Sequence, residues 1–133
     1  MSRLTMGTAV LLTALAAASG QVAAQSLSPQ TSNQNAVTVK ATPKALPGDR
    51  WEFELVYDTH SQELKDDVAS SAALVGTDGA LIAPVAWQGD PPSGHHRKGV
   101  LRFNAVKPQP DVLELRITRA GETAPRTFKW KVK

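Results

Sequence analysis

Three histidines are the residues in this chain best suited to chemistry. His60 stands in Asp58-Thr-His-Ser61, and His95 and His96 stand together in Asp90-Pro-Pro-Ser-Gly-His-His-Arg-Lys-Gly99. Neutral imidazole is a good ligand for copper, zinc and nickel, so His60, His95 and His96 with one carboxylate, Asp58, would make a four-coordinate site for Cu(II) or Zn(II). Adjacent residues on an extended chain point to opposite sides, so one of His95 and His96 joins His60 readily and the other needs a kink at Gly94. A pair of histidines with Asp58 is the simpler geometry. The competing use of the same imidazoles is to satisfy backbone groups of a Pro- and Gly-rich loop, with Arg97 pairing to Asp58 or Asp90. Thiolate ligation is excluded because the chain has no cysteine, and both methionines, Met1 and Met6, would leave with the expected signal peptide.

A second chemistry needs no metal. Trp87 and Arg97, with Lys98 and Arg126, would line the same loop end and recognise an anionic ligand or a protein partner of the bacterial envelope, as loops on a rigid scaffold commonly do. A structural accessory domain without a ligand is the third reading. Metal binding should fade as imidazoles protonate, near pH 6.5 for an ordinary histidine, whereas recognition through Arg and Lys should weaken with salt. Enzymatic work is not expected. Ser61 beside His60 is adjacency in sequence, which makes no catalytic dyad, and no other nucleophile stands at a recognisable spacing from a base.

The compartment follows from the N-terminus. Arg3 precedes an apolar run from Met6 to Ala18, too short for the roughly 20 residues that span a bilayer and flanked as a secretory signal is. Residues 1–24 are therefore expected to be a signal peptide, cut after Val22-Ala23-Ala24, and the mature protein to be periplasmic or secreted without a stable membrane anchor. Loss of Arg3 lowers the formal charge from +3 to +2, too mild a balance to argue for nucleic acid. Basic residues crowd the last third, from Arg97 to Lys133, and read as a solvated sheet face because no aromatic residues interleave with them at exposed parities.

The elements that must position the histidines read as strands. Residues 25–34 are polar and aperiodic and are expected to be a disordered tail. From Ala36 onward the chain alternates: Val37, Val39 and Ala41; then Trp51, Phe53, Leu55 and Tyr57; then Ser71 to Val75, Ala80 to Trp87, and Val100 to Phe103; then Leu113, Leu115 and Ile117; and last Phe128, Trp130 and Val132. Asp78-Gly79 suits a hairpin turn, and Thr59 with Gln62 resembles a capping box for one helical turn. Seven short strands over residues 35–133 make one all-β domain, an antiparallel two-sheet immunoglobulin-like sandwich. With no disulfide, its core must hold by burial alone. Strict alternation of strand direction would bring the loops after the second, fourth and sixth strands to one end, gathering His60, His95, His96 and the Gly121 to Arg126 turn.

The motifs Asp58-Thr-His-Ser61 and Gly94-His-His-Arg97, with Trp87-Gln-Gly-Asp90 and Arg126-Thr-Phe-Lys-Trp130, resemble a family of short exported bacterial domains of the same sandwich type, which carries no established activity. The chain is also distantly similar to periplasmic copper-binding proteins of the CopC type in size, compartment and histidine use. Those carry a histidine at the mature N-terminus, where this chain would have Gln25.

Overall fold

In a computed structural model, which describes residues 27–46 and 48–132, nine strands and one helical turn follow one another: β1 (Gln30–Gln34), β2 (Val37–Ala45), β3 (Arg50–Thr59), α1 (Val68–Ser71), β4 (Ala72–Val75), β5 (Leu81–Ile82), β6 (Ala86–Gly89), β7 (His96–Asn104), β8 (Val112–Ile117) and β9 (Arg126–Lys131). They form two antiparallel sheets, ordered β1-β2-β3-β7-β6 and β5-β4-β8-β9. The protein is thus the all-β two-sheet sandwich that the alternation requires. The expected signal segment, residues 1–24, lies outside the described residues. Among those described, no helix is long and apolar enough to cross a membrane.

Parity decides which residues enter the core. On β3 the residues Trp51, Phe53, Leu55 and Tyr57 are buried, while Asp58 between Tyr57 and Thr59 is exposed. The opposing sheet supplies Leu74, Leu113, Leu115, Ile117, Phe128 and Trp130. Phe53 bridges the two layers, edge-on to Phe103 at 5.7 Å and tilted against Trp130 at 5.8 Å between ring centroids. Each such ring removes a few kcal/mol worth of apolar surface from water, which is how a sandwich without a disulfide holds.

Four expectations need correction. Gln30–Gln34, expected to lie in the tail, pair with β2 as an edge strand. The strand is polar because its stability comes from partners far along the chain rather than from its own side chains. The Gln30 side-chain amide accepts from the backbone N–H of Lys129 at 2.9 Å and donates back to the Lys129 carbonyl, and Trp130 Nε1 donates to the Ser28 carbonyl at 2.7 Å. The N-terminal segment thereby sews the edge of one sheet to the edge of the other and covers part of β9's open side.

Second, the single strand expected over Ala80 to Trp87 is two, in different sheets, because Pro84 cannot continue a ladder and the chain crosses over there. Third, the strand expected from Val100 begins at His96, which moves His96, Arg97 and Lys98 from a loop onto β7. Fourth, Asp67 rather than Thr59 caps α1, accepting from the Ser70 N–H at 3.3 Å. Pro43 lies inside β2, beyond the last residue that β1 pairs, so its missing N–H faces no partner strand.

Candidate functional site

The two histidine segments meet where β3 ends and β7 begins. These strands are antiparallel neighbours, and their register places Asp58 opposite His96 and Tyr57 opposite Arg97. Pairing continues beyond the ladder: the Thr59 N–H donates to the His95 carbonyl at 3.0 Å, and the Leu64 N–H to the Gly94 carbonyl at 2.8 Å. The β1–β2 turn lies at the same end, since Val37 pairs with Thr59 and the Thr59 hydroxyl donates to the Ala36 carbonyl at 2.8 Å.

On the outer face of the larger sheet, His96 Nδ1 is hydrogen-bonded to Asp58 Oδ1, both side chains being more than half exposed. A carboxylate accepts, so Nδ1 carries the proton, and in a neutral ring that leaves the lone pair on Nε2. His60 lines a shallow recess of about 370 Å³ together with Asp58, Thr38 and Asn33, and its side chain is exposed. His95 is exposed as well, one position off the parity of His96. Among the described residues, no three His, Asp or Glu side chains already stand close enough together to enclose a metal ion. The donor types, imidazole nitrogen and carboxylate oxygen, suit Cu(II) and Zn(II).

The residues proposed from sequence to recognise an anion behave otherwise. Arg97 is 1% exposed and Arg126 likewise, so neither belongs to a solvated face, and the same holds for Arg119. Arg97 lies beneath the sheet, donating from Nη1 to the Asp66 carbonyl at 2.6 Å and from Nη2 to the Asp90 carbonyl at 3.2 Å. Its expected side-chain partners are used elsewhere: Asp58 holds His96, and Asp90 Oδ2 accepts from the Lys98 N–H at 2.9 Å. Trp87 is half-buried against the core and lines a cavity with Arg97.

Sequence reasoning missed a buried ionic chain beside this end. Asp66 grips Arg119 with both oxygens at 2.7 and 3.1 Å, Arg119 reaches Glu122 at 3.3 Å, and Glu122 holds Arg126 with both oxygens at 2.9 and 2.7 Å. Arg126 spends its remaining donors on the carbonyls of Ser32, Val37 and Gln34, filling all five of its N–H groups. It thus clamps the β1–β2 hairpin onto the β8–β9 connection. The hydrogen bonds from Arg126, then its charge and that of Arg119, hold the Glu122 carboxyl below its usual range, and the Asp66 hydrogen bond holds the Arg119 guanidinium above its own. Tyr57, inside the same cluster, is pushed up by burial first and by the Asp66 charge second. Its hydroxyl and Arg97 Nε are buried without a hydrogen-bond partner among the described residues. The available signal was parity: Arg119 stands two residues after Ile117 and Arg126 two before Phe128, both inward positions.

No family model, curated protein or solved structure matches the chain.

Proposed function

We propose that this chain is an exported, metal-binding envelope module that holds one Cu(II) or Zn(II) ion through His96 and His60, and that it is not an enzyme. The observation that carries the reading is the hydrogen bond between His96 Nδ1 and Asp58. A carboxylate on the far nitrogen fixes the tautomer and the ring orientation of a metal-ligating histidine and raises its basicity. Asp58 therefore acts by orienting His96 rather than as a ligand in its own right. His60 borders the recess that Asp58 also lines, and exposed rings rotate within nanoseconds, so an ion can draw His60, and His95 from the neighbouring position, toward His96 Nε2.

The test is equilibrium dialysis of the protein against Cu(II) or Zn(II) with elemental analysis. One ion per chain is expected at neutral pH, with less on acidification as protons compete for imidazole. His96→Ala and His60→Ala should each remove most of the binding, and the double variant should be little worse than either, because ligands of one ion are coupled. Asp58→Asn should weaken binding about 10- to 100-fold, as loss of an outer carboxylate does. No stoichiometric metal on the wild type, or binding indifferent to His60→Ala, overturns the proposal. The metal-free reading draws on a different feature, the cavity at Trp87 and Arg97.

A further inference from the structure

Successive residues of a strand point to opposite faces, so His96 stands outside the larger sheet and Arg97 beneath it. The Arg97 guanidinium is a buried group with five N–H donors. Its two partners, the carbonyls of Asp66 and Asp90, are uncharged, and its Nε–H has none among the described residues. Holding those carbonyls, Arg97 ties the 62–67 segment to the 90–95 loop, and between the two opens a recess of about 240 Å³ walled by Lys65, Asp67, Trp87, Asp90, Pro91 and Arg97.

Wall chemistry restricts the occupant. Asp66, which also lines the recess, is held by Arg119, and the charges of Asp67 and Asp90 are balanced by Lys65 and the buried Arg97, so the wall carries no net charge and favours an occupant that carries none. Donors and acceptors nevertheless stand side by side: the exposed Lys65 ammonium donates, and the Asp67 and Asp90 carboxylates, each with lone pairs beyond its one backbone partner, accept. Trp87 and Pro91 add apolar surface. The indole is held in place, since it packs over Gly89 and Gly99, where no Cβ intervenes. The volume is below the roughly 300–1,000 Å³ of pockets for drug-sized ligands, which leaves room for a single ring.

A compact, uncharged molecule with several hydroxyls and one C–H face uses all of these features. We infer that the Trp87–Arg97 recess binds one ring of a neutral saccharide, its C–H face against the indole and its hydroxyls shared between the Lys65 ammonium and the Asp67 and Asp90 carboxylates. This site is separate from the His96 surface and needs no metal.

The test is titration of the whole ¹⁵N-labelled protein with glucose, N-acetylglucosamine, chitotetraose and, separately, sodium acetate, following the Trp87 indole N–H, assigned by its loss in Trp87→Phe, and the backbone amides of Lys65, Asp67 and Asp90, which report in every variant. Saturable movement with at least one of the saccharides, unchanged by EDTA, is expected, and none with acetate. Trp87→Phe keeps an aromatic filler, and Asp67→Asn keeps the helix cap, so both variants should fold; each should weaken the saccharide about tenfold, the worth of one good hydrogen bond or stacking contact. Lys40→Ala, on the outer face of β2, should leave it unchanged. Movement with acetate alone would make the recess an anion site, and movement with no probe, or equal affinity in folded Asp67→Asn and Trp87→Phe, would also overturn the inference.

Discussion

Gly89 and Gly99 stand opposite each other on β6 and β7, and a Cβ on either would lie 2.6 Å from the Cα of the other. The Trp87 ring closes the same space, its Cη2 and Cζ2 atoms 2.5 and 2.7 Å from a Cβ at Gly99. Neither a backbone nor a packed indole yields cheaply. Gly99→Ala should therefore destabilise the protein by about 1–3 kcal/mol, as overpacking does, read as a lower urea midpoint at unchanged m-value. A variant as stable as the wild type would mean that Trp87 lies elsewhere.

Tyr57 leads to the opposite expectation. Its buried hydroxyl has no partner among the described residues, so Tyr57→Phe removes an unsatisfied polar group and should match or exceed wild-type stability at neutral pH, by up to roughly 1–3 kcal/mol. Burial raises its folded-state pKa above the unfolded value of about 10. The fold therefore favours neutral tyrosine, a contribution fully present below pH 10 and lost as pH rises toward the folded value. Wild type should lose stability in that alkaline range, and Tyr57→Phe should lose less. Clear destabilisation of Tyr57→Phe at pH 7 would show that the hydroxyl has a partner.

The core was legible in the sequence because its evidence is local. Alternation on β3, β8 and β9 assigns Trp51 to Tyr57, Leu113 to Ile117, and Phe128 and Trp130 to the interior, and those residues are buried. β1 was illegible for the converse reason. Nothing in Gln30–Gln34 shows that Arg126, more than ninety residues away, supplies donors to its carbonyls. The pairing of Asp58 with His96 likewise depends on the β3–β7 register, which needs β7 to begin at His96 rather than at Val100. Arg97, Arg119 and Arg126 were read by charge when their parity pointed inward. The proline and glycine content of residues 90–99 concealed that a strand had already started.

Neighbours on β9 test the register directly. Trp130 is buried, against Phe53 and Phe128, while Lys129 is exposed, its Nζ 3.5 Å from Glu114. Trp130→Ala should cost about 3–5 kcal/mol and Lys129→Ala under about 1 kcal/mol, the range of exposed ion pairs. Equal losses in thermal or urea unfolding would contradict the parity.

The longest-range prediction concerns Glu122 and Arg126, whose side chains are 2% and 0% exposed. Removing one partner of a buried pair strands the other, so Glu122→Gln and Arg126→Met should each destabilise by about 3–5 kcal/mol at neutral pH. The folded-state Glu122 carboxyl lies below its usual value near 4.5, so its contribution is present above that value and is lost as pH falls through the folded one. Below about pH 5 the stability of Glu122→Gln should accordingly fall less steeply than that of the wild type. The two variants should differ in where they loosen the fold. Arg126→Met releases the carbonyls of Ser32, Gln34 and Val37 and should speed hydrogen exchange of the β1 and β2 amides, whereas Glu122→Gln leaves those three bonds in place. Because the side chains share hydrogen bonds, the double variant should lose less than the two single losses combined. Strict additivity, or β1 exchange indifferent to Arg126→Met, would show that the clamp does not hold the N-terminal hairpin.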